Sequence, residues 1–347
     1  MRTFLRPFSW VVSGLLLSAQ VLATNAGWRS ISVPGLAADA PPIPVVLYYP
    51  TQSPARAIPM GPFTVQAAMG APADAGFKGL IVLSHGTGGS ELGHSSLAEA
   101  LAQQGYLVAA LRHPGDNWQD QALLRAPGAQ YFIERPQHLS RVIDALLLDP
   151  IWGQRIAKDS RGPRVGALGH SAGGYSVLAL AGGEPDVTRV LAHCAGSAAA
   201  DPIFCSMGRA MPGATQASAT PPTPPLQIPA LADTRVRAVV AMAPVGVIFS
   251  GPSLARVRIP TMIYEAEQDR FLVPRFHAEW IARHLTGTQR HSIPKAWHFA
   301  FMDTPSMPIL SPDGDIGANP PGFDRQALLR QMGRELPAFF DQAWVQP

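Results

Sequence analysis

The chain has 347 residues, of which 47% are hydrophobic and only 15% are charged, and this composition excludes a disordered protein. Its length allows one large hydrophobic core or two smaller ones, and one α/β domain with an insertion fits best. The formal net charge is +3 with no local Lys/Arg cluster, so there is no electrostatic basis for nucleic-acid binding.

The first 23 residues have the pattern of a cleaved secretory signal. Arg2 and Arg6 precede an apolar run from Trp10 to Leu17, and the small residues that a signal peptidase reads follow near Ala23. The alternative is an uncleaved anchor, but the run is shorter than the roughly 20 apolar residues that span a bilayer. We therefore expect an exported protein, periplasmic or secreted, without a stable membrane anchor. Loss of the two arginines lowers the net charge from +3 to +1.

The mature chain begins with patterns typical of a sheet. We predict an edge hairpin or meander from the strands Trp28 to Val33 and Pro44 to Tyr49, and a loop with room for one short extra strand over residues 51–76. Apolar runs and helical spacing then predict alternating strands and helices, which implies a parallel sheet with right-handed crossovers. These elements are a strand at 79–83, a helix at 92–104, a strand at 106–111 and a helix at 136–148.

The next strand begins at Val165 and enters the sequence Gly-His-Ser-Ala-Gly-Gly, from Gly169 to Gly174. A strand, Gly-x-Ser-x-Gly and a helix of small residues in that order predict a nucleophile elbow, which exposes the Ser171 hydroxyl on a sharp turn. The helix that follows is predicted from Tyr175 to Ala181. Backbone N–H groups at a helix N-terminus have no intrahelical partner, so that of Ala172 is a candidate oxyanion donor.

A second glycine-rich loop, Ser84-His85-Gly86-Thr87-Gly88-Gly89, directly follows the strand at 79–83. The backbone N–H of Thr87 is the candidate for a second oxyanion donor. The alternatives are a phosphate-binding loop and a plain strand-to-helix turn. The chain offers neither a following Lys-Ser/Thr nor Gly-x-Gly-x-x-Gly, so a nucleotide site has little support.

Residues 184–233 interrupt the periodic pattern and are interpreted as an inserted cap, with a surface loop as the alternative. Cys194 and Cys205 lie within this segment, and an exported chain with one such pair is expected to form a disulfide; two buried thiols are the alternative. A metal site is not expected there, since His193 is the only further ligand nearby. The tract from Pro212 to Pro225 is expected to be mobile or extended.

The sheet resumes with predicted strands at 236–242, 259–264 and 289–293, a helix at 275–285 and a terminal helix at 324–344. Asp269 follows the second of these strands, where a carboxylate could orient a histidine, with Glu265 and Glu267 as competitors. His298 lies in a loop after the last strand. The histidines at 277, 284 and 291 are expected at the surface.

Four motifs together resemble the α/β-hydrolase superfamily, and within it the bacterial predicted dienelactone hydrolases, which are related to platelet-activating-factor acetylhydrolases. They are the loop at 84–89, His113-Pro114-Gly115-Asp116, the elbow at 169–174 and Ala296-Trp297-His298-Phe299. The resemblance implies a mostly parallel central sheet with helices on both faces and an inserted cap, in one domain over residues 24–347. Two departures stand out. Ser171 replaces the cysteine nucleophile of true dienelactone hydrolases, and no carboxylate follows the strand at 236–242, where the animal acetylhydrolases carry their acid.

The chain order Ser171, Asp269, His298 predicts a Ser-His-Asp triad that hydrolyses a small carboxylic ester of short to medium acyl chain through an acyl-enzyme. No metal or organic cofactor is implied. A peptidase or an acyltransferase would use the same triad, and a non-catalytic binding protein on the same fold would lack one of its members. Oligomeric state and ester identity are not fixed by these patterns.

Overall fold

The computed structural model describes residues 24–36, 40–209 and 227–345. The predicted signal peptide and the Pro-rich tract from Pro212 to Pro225 lie outside the described residues. The described strands are β1 (Asn25–Val33), β2 (Ile43–Thr51), β3 (Arg56–Met60), β4 (Phe63–Met69), β5 (Leu80–Ser84), β6 (Leu107–Leu111), β7 (Lys158–Asp159), β8 (Gly162–Pro163), β9 (Val165–His170), β10 (Val236–Met242), β11 (Thr261–Ala266), β12 (Gln289–Ile293), β13 (Leu310–Ser311) and β14 (Gly314–Asp315).

The α-helices in the same part of the chain are α1 (Ser95–Gln103), α2 (Gln130–Leu148), α3 (Ala172–Leu180), α4 (Val187–Ser197), α5 (Pro202–Arg209), α6 (Gly251–Leu254), α7 (Ala278–His284) and α8 (Arg325–Val345). Short 3-10 helices cover Gly153–Arg155, Pro274–Phe276 and His298–Phe301. None of the described helices is long and apolar enough to cross a membrane.

The central sheet has ten strands in the order β12-β11-β10-β9-β5-β6-β2-β1-β4-β3. From β12 to β6 all neighbours are parallel, and the pairing becomes antiparallel at β2. Because parallel strands run in one direction, their carboxyl ends lie along the same edge of the sheet. The loops after β5, β6, β9, β10 and β11 meet at this edge. This edge positions the candidate site.

Helices cover both faces of this sheet. Alternate residues of a strand point to opposite faces, and in β5 Val82 packs into one hydrophobic core while Ile81 packs into the other. Helices α2, α3 and α7 contribute to the first core, and α1 and α8 to the second. The long apolar runs of the central strands follow from this burial on both sides.

The N-terminal strands depart from the prediction in their place in the sheet. β1 and β2 do form an antiparallel pair. They are not the edge of the sheet, because β3 and β4 form a further hairpin outside them, over residues where the sequence predicted a loop with room for one short extra strand. In β4 the buried residues Phe63, Val65 and Ala67 do alternate, but the Pro- and Ala-rich surroundings weaken that pattern.

Helix α2 begins six residues before the predicted start and contains Pro136 within it. A proline has no N–H, so the carbonyl of Phe132, four residues earlier, loses its intrahelical donor. The Tyr175 hydroxyl on α3 donates to that carbonyl at 2.6 Å. This bond replaces the missing one and ties α2 to the helix that follows the predicted elbow.

Two helices lie in the segment after α3, where no periodic pattern was detected in the sequence. Val187, Val190 and Cys194 of α4 lie at helical spacing and, with Phe204 and Met207 of α5, pack against the first core. The predicted disulfide between Cys194 and Cys205 is present, with a Cα–Cα distance of 5.3 Å, and it joins these two helices. A covalent link that closes so short a loop adds to the stability of this pair of helices.

Candidate active site

Ser171 lies between the end of β9 and the first residue of α3, in the turn that the sequence predicts as an elbow. Its backbone has φ 58° and ψ −116°, a conformation that is strained for a residue with a side chain. Three backbone bonds stabilise it: Ser171 N–H donates to the Met242 carbonyl at 2.9 Å, and the Ser171 carbonyl accepts from Tyr175 N–H at 3.1 Å and from Val245 N–H at 3.2 Å. Observed strain at one polar residue is typical of a functional position.

The two glycines of Gly-x-Ser-x-Gly allow the turn to be this tight. A Cβ on Gly169 would lie 2.2 Å from the Gly173 carbonyl oxygen, and one on Gly173 would lie 2.1 Å from the Ser84 carbonyl oxygen. Both distances are far inside van der Waals contact. A side chain at Gly169 would therefore push α3 away from β9, and one at Gly173 would push the elbow away from β5.

His298 and Asp269 form a buried hydrogen-bonded pair at the same edge of the sheet. His298 Nδ1 lies 2.7 Å from Asp269 Oδ2, and the other oxygen of that carboxylate accepts from the N–H groups of Phe271 and Leu272, each at 2.8 Å. A carboxylate with this many donors is a fixed acceptor, so His298 carries its proton on Nδ1. In the described part of the chain, His298 Nε2 makes no hydrogen bond.

Aromatic rings fix the orientation of the His298 imidazole. The Phe271 ring stacks on it with centroids 4.8 Å apart, and Phe299 packs edge-on at 5.0 Å. His170, the residue before Ser171, donates from Nε2 to the His298 carbonyl at 2.9 Å. The structure thus brings the Ser171 turn and the His298 loop into contact through His170, although Ser171 Oγ and His298 Nε2 are not hydrogen-bonded to each other.

His170 itself remains neutral. Burial, followed by the neighbouring His298 and His94, lowers its pKa well below the ordinary value. A neutral ring can donate from only one nitrogen, which agrees with one bond from Nε2. The sequence indicated His170 only as the variable position of the motif, and nothing in its neighbours marks this contact.

The competing carboxylates after β11 have other partners. Glu265 forms an ion pair with Arg290 on the adjacent strand β12, with an N–O distance of 2.8 Å, and Glu267 accepts from Lys295 N–H at 3.0 Å. Of these three acidic residues, Asp269 is the one that contacts His298.

The glycine-rich loop after β5 lies against the elbow, since a Cβ on Gly86 would be 3.2 Å from the Ser171 Cβ. The Thr87 side-chain hydroxyl is hydrogen-bonded to the Tyr131 hydroxyl at 2.6 Å. Among the described residues, neither Thr87 N–H nor Ala172 N–H has a protein acceptor. Both N–H groups thus remain available to a ligand oxygen next to Ser171.

A buried polar network beneath this loop was missed by sequence reasoning. It contains an ion pair between Asp116 and Arg135, together with the histidines at 85, 113 and 138. Burial and the nearby Arg135 charge lower the pKa of His85 to about 3. Asp116 belongs to a motif noted in the sequence, but Arg135 immediately precedes the predicted helix and carried no signal.

The prediction that His277 lies at the surface was wrong. His277 is fully buried at the start of α7, with Nε2 2.8 Å from Asp201 Oδ2 and Nδ1 accepting from Gly246 N–H at 3.1 Å. Asp201 also binds His193, at 2.9 Å. The helical position of His277 in the sequence gave no sign of a partner 76 residues away.

One group of potential metal ligands occurs among the described residues. It consists of His193, Asp201 and Cys205, whose ligand atoms lie within 4.8 Å of one another. The Cys205 sulfur is bonded to Cys194, so it offers no thiolate. The carboxylate of Asp201 already accepts from two imidazoles. This chemistry describes a structural hydrogen-bonded cluster better than a metal centre.

A cavity of about 450 Å³ lies between α4 and the loops that follow β10 and β11. Its walls are mostly apolar and include no side chain of Ser171, Asp269 or His298. The lining residues are Thr188, Arg189, Ala192, His193, Val247, Phe276 and Trp280.

The fold and a sequence profile define the class of protein. The sequence profile of the alpha/beta hydrolase family matches residues 81–309, about two thirds of the chain, and the protein belongs to that family. The predicted fold class is thereby confirmed. A ferulic acid esterase from Streptomyces cinnamoneus has a similar structure, with a TM-score of 0.58, 21% sequence identity, and coverage of 93% of this chain and 91% of that one. No curated protein sequence matches the chain.

Proposed function

We propose that this protein is a serine esterase that hydrolyses small carboxylic esters, of short to medium acyl chain, through an acyl-enzyme. The observation that carries the proposal is the His298–Asp269 pair at 2.7 Å, because its free Nε2 lies at the edge of the sheet that carries the strained Ser171. A histidine held by a carboxylate through one nitrogen is a general base through the other.

In the first half of the reaction, His298 Nε2 takes the proton of the Ser171 hydroxyl while Oγ forms a bond to the ester carbonyl carbon. The backbone N–H groups of Thr87 and Ala172 hold the resulting oxyanion. When the intermediate collapses, the bond to the alcohol oxygen breaks, and the alcohol leaves with the proton from His298. Asp269 stabilises the imidazolium that exists between these steps.

In the second half, water replaces the alcohol. His298 takes a proton from the water, whose oxygen attacks the acyl carbon. When this second intermediate collapses, the bond to Ser171 Oγ breaks, His298 returns the proton to Oγ, and the acid leaves. In an apo site the serine–histidine bond is often long and shortens only when substrate binds, so the absence of a Ser171–His298 bond here is compatible with this chemistry.

Helices α4 and α5 support the proposal that residues 184–233 include a cap. Arg189 on α4 donates from Nε to the Val247 carbonyl at 3.2 Å, and Asp201 accepts from Val273 N–H at 3.4 Å. Val247 follows β10 and Val273 follows β11, so both contacts lie at the edge of the sheet that carries Ser171. We also propose export to the periplasm or medium, which the disulfide supports.

The test is hydrolysis of p-nitrophenyl esters from acetate to laurate, with methyl ferulate and a lactone as further substrates. We expect turnover of the shorter esters, and a loss on the order of a millionfold in kcat in Ser171→Ala. Ser140→Ala is the matched control, because Ser140 is bonded to Asp233 away from the elbow. Equal rates in Ser171→Ala and the unaltered protein would refute the esterase.

The unaltered protein and the two serine variants also distinguish the esterase from a peptidase, an acyltransferase and a binding protein. A peptidase would cleave a peptide amide as well as the matched ester, whereas an esterase would leave the amide intact. An acyltransferase would form a new ester when an alcohol acceptor is added. A binding protein would retain the ester unchanged in every sample.

A further inference from the structure

The ion pair between Arg135 and Asp116 is the most deeply buried pair of opposite charges near the candidate site, and the proposed reaction gives it no role. Both side chains are 0% exposed. Arg135 lies on α2, and Asp116 lies in the loop after β6. Burying two charges carries a large desolvation penalty, and replacing such a pair by apolar residues often stabilises a protein. Its presence here calls for a reason other than stability.

The pair holds the glycine-rich loop at two points. The second oxygen of Asp116 accepts from Gly88 N–H at 2.8 Å, and the Arg135 guanidinium donates to the His85 carbonyl. These two backbone groups lie on either side of Gly86 and Thr87. The ion pair therefore fixes both ends of the short segment that presents the Thr87 N–H.

The same guanidinium also reaches the elbow helix. Arg135 Nε lies 3.4 Å from Ser176 Oγ, and that hydroxyl donates to the carbonyl of Ala172 at 2.9 Å. Ala172 supplies the other proposed oxyanion donor. The Arg135 side chain thus connects the glycine-rich loop to α3, the two elements whose N–H groups must converge on one oxygen atom.

The Thr87 side chain is held by the same surroundings. Its hydroxyl bonds Tyr131, and the Arg135 guanidinium lies 5.7 Å from the centre of the Tyr131 ring. The arginine guanidinium is planar and has five N–H donors, so it can hold several acceptors in a fixed geometry.

We propose that Arg135 and Asp116 are positioning residues that set the distance between the two oxyanion donors, Thr87 N–H and Ala172 N–H. This inference rests on the proposed esterase function. The pair should therefore stabilise the transition state, in which the oxygen carries charge. It should have little effect on the binding of the uncharged ester.

The experiment compares Asp116→Asn and Arg135→Lys with Asp159→Asn. Asp159 is the matched control because it forms a two-point ion pair with Arg237, both N–O distances being 2.9 Å, at the opposite end of β10. Three quantities are measured for each protein: kcat, KM, and the inhibition constant of an alkyl boronic acid, whose serine adduct places an oxygen in the oxyanion position.

We expect kcat to fall about 10- to 100-fold in Asp116→Asn and Arg135→Lys, because a misplacement of about 1 Å in a catalytic site can cost that much. KM should change less than about threefold, and boronic acid affinity should fall in proportion to kcat. Asp159→Asn should keep all three values. A purely structural role would lower the amount of active protein but leave the boronic acid affinity of the folded fraction unchanged, and that result overturns the proposal.

A single change leaves one buried charge without its partner, so either variant could fail to fold. The double variant Asp116→Leu/Arg135→Met removes both charges and serves as the second test, with circular dichroism and thermal unfolding as checks. A folded double variant with unaltered kcat and boronic acid affinity refutes the positioning role. Activity that survives Ser171→Ala refutes the esterase itself, so the two failures are distinguishable.

Discussion

Two buried histidine–carboxylate pairs lie at the same end of the sheet. His298 bonds Asp269 at 2.7 Å, and His277 bonds Asp201 at 2.8 Å. Both imidazoles are almost completely inaccessible to solvent, and both carboxylates also accept backbone N–H groups. By distance and burial alone, the two pairs could exchange roles.

The two histidines differ at the ring nitrogen that does not bond the carboxylate. In His277, Nδ1 accepts from Gly246 N–H at 3.1 Å, so both nitrogens are committed to the fold. In His298, Nδ1 is held by Asp269 and Nε2 bonds to none of the described residues. A histidine with both nitrogens occupied joins elements together, whereas one with a free nitrogen can move a proton.

The environment of Asp201 agrees with a joining role. Although burial raises its pKa, hydrogen bonds from His277 and His193 bring that pKa below the ordinary value. His193 lies on α4 and His277 at the start of α7. The cluster therefore fastens the proposed cap to the loop that follows Asp269.

The largest expected effect separates the two histidines. His298→Gln should lower kcat by about a millionfold, because the general base is lost. His277→Gln should keep kcat within about tenfold and lower the melting temperature, since it leaves buried partners unsatisfied. Ester hydrolysis and thermal unfolding measure both. A His277 variant as inactive as the His298 variant, while fully folded, would reverse the assignment.

The next largest effect separates the two carboxylates. Asp269→Asn should lower kcat about ten-thousandfold, since an amide favours the wrong tautomer of His298. Asp201→Asn should leave kcat nearly unchanged and mainly reduce the free energy of unfolding. Steady-state kinetics and urea denaturation distinguish these outcomes. Equal losses of kcat in the two variants would contradict the different roles of Asp269 and Asp201.

Most of the fold was predictable from the sequence, because parallel strands buried on both faces are continuous apolar runs. The elbow was predictable for a local reason: its glycines are required by contacts with Ser84 and with each other. Contacts between distant residues were not predictable. Arg135 and His277 acquire their partners only when separate elements pack, and the disulfide joins α4 to α5 across a segment in which the sequence showed no regular elements.

Removal of the disulfide should have a smaller effect, and it tests how much the attachment of α4 and α5 contributes to stability. Cys194→Ser/Cys205→Ser should lower the free energy of unfolding by about 3 kcal/mol, the loop-closure value for a separation of 11 residues. Urea denaturation of the double variant, with the reduced and oxidised wild type as controls, measures it. An unchanged midpoint would mean that noncovalent contacts hold α4 and α5 in place without help from the disulfide.

The smallest effect concerns a histidine with no partner in the described part of the chain. His94 is buried next to His170, and burial lowers its pKa to about 4. On acidification the unfolded chain takes up the proton first, near pH 6.5, so this residue reduces stability as pH falls from about 6.5 to 4.

Between pH 7 and pH 5 the loss should be about 2 kcal/mol. His94→Phe keeps the aromatic contact and removes the titration. Its free energy of unfolding should therefore fall by about 2 kcal/mol less than that of the wild type over this interval, in denaturant titrations at both pH values. Parallel losses in both proteins would show that His94 is not the group that titrates.

The most direct test of the central claim is covalent labelling by a fluorophosphonate, which reacts with a serine activated by a histidine. We predict one adduct per chain on the peptide containing Ser171, no adduct in Ser171→Ala, and much slower labelling in His298→Gln but not in His277→Gln. Labelling at another residue, or equal labelling of the His298 and His277 variants, would contradict the account.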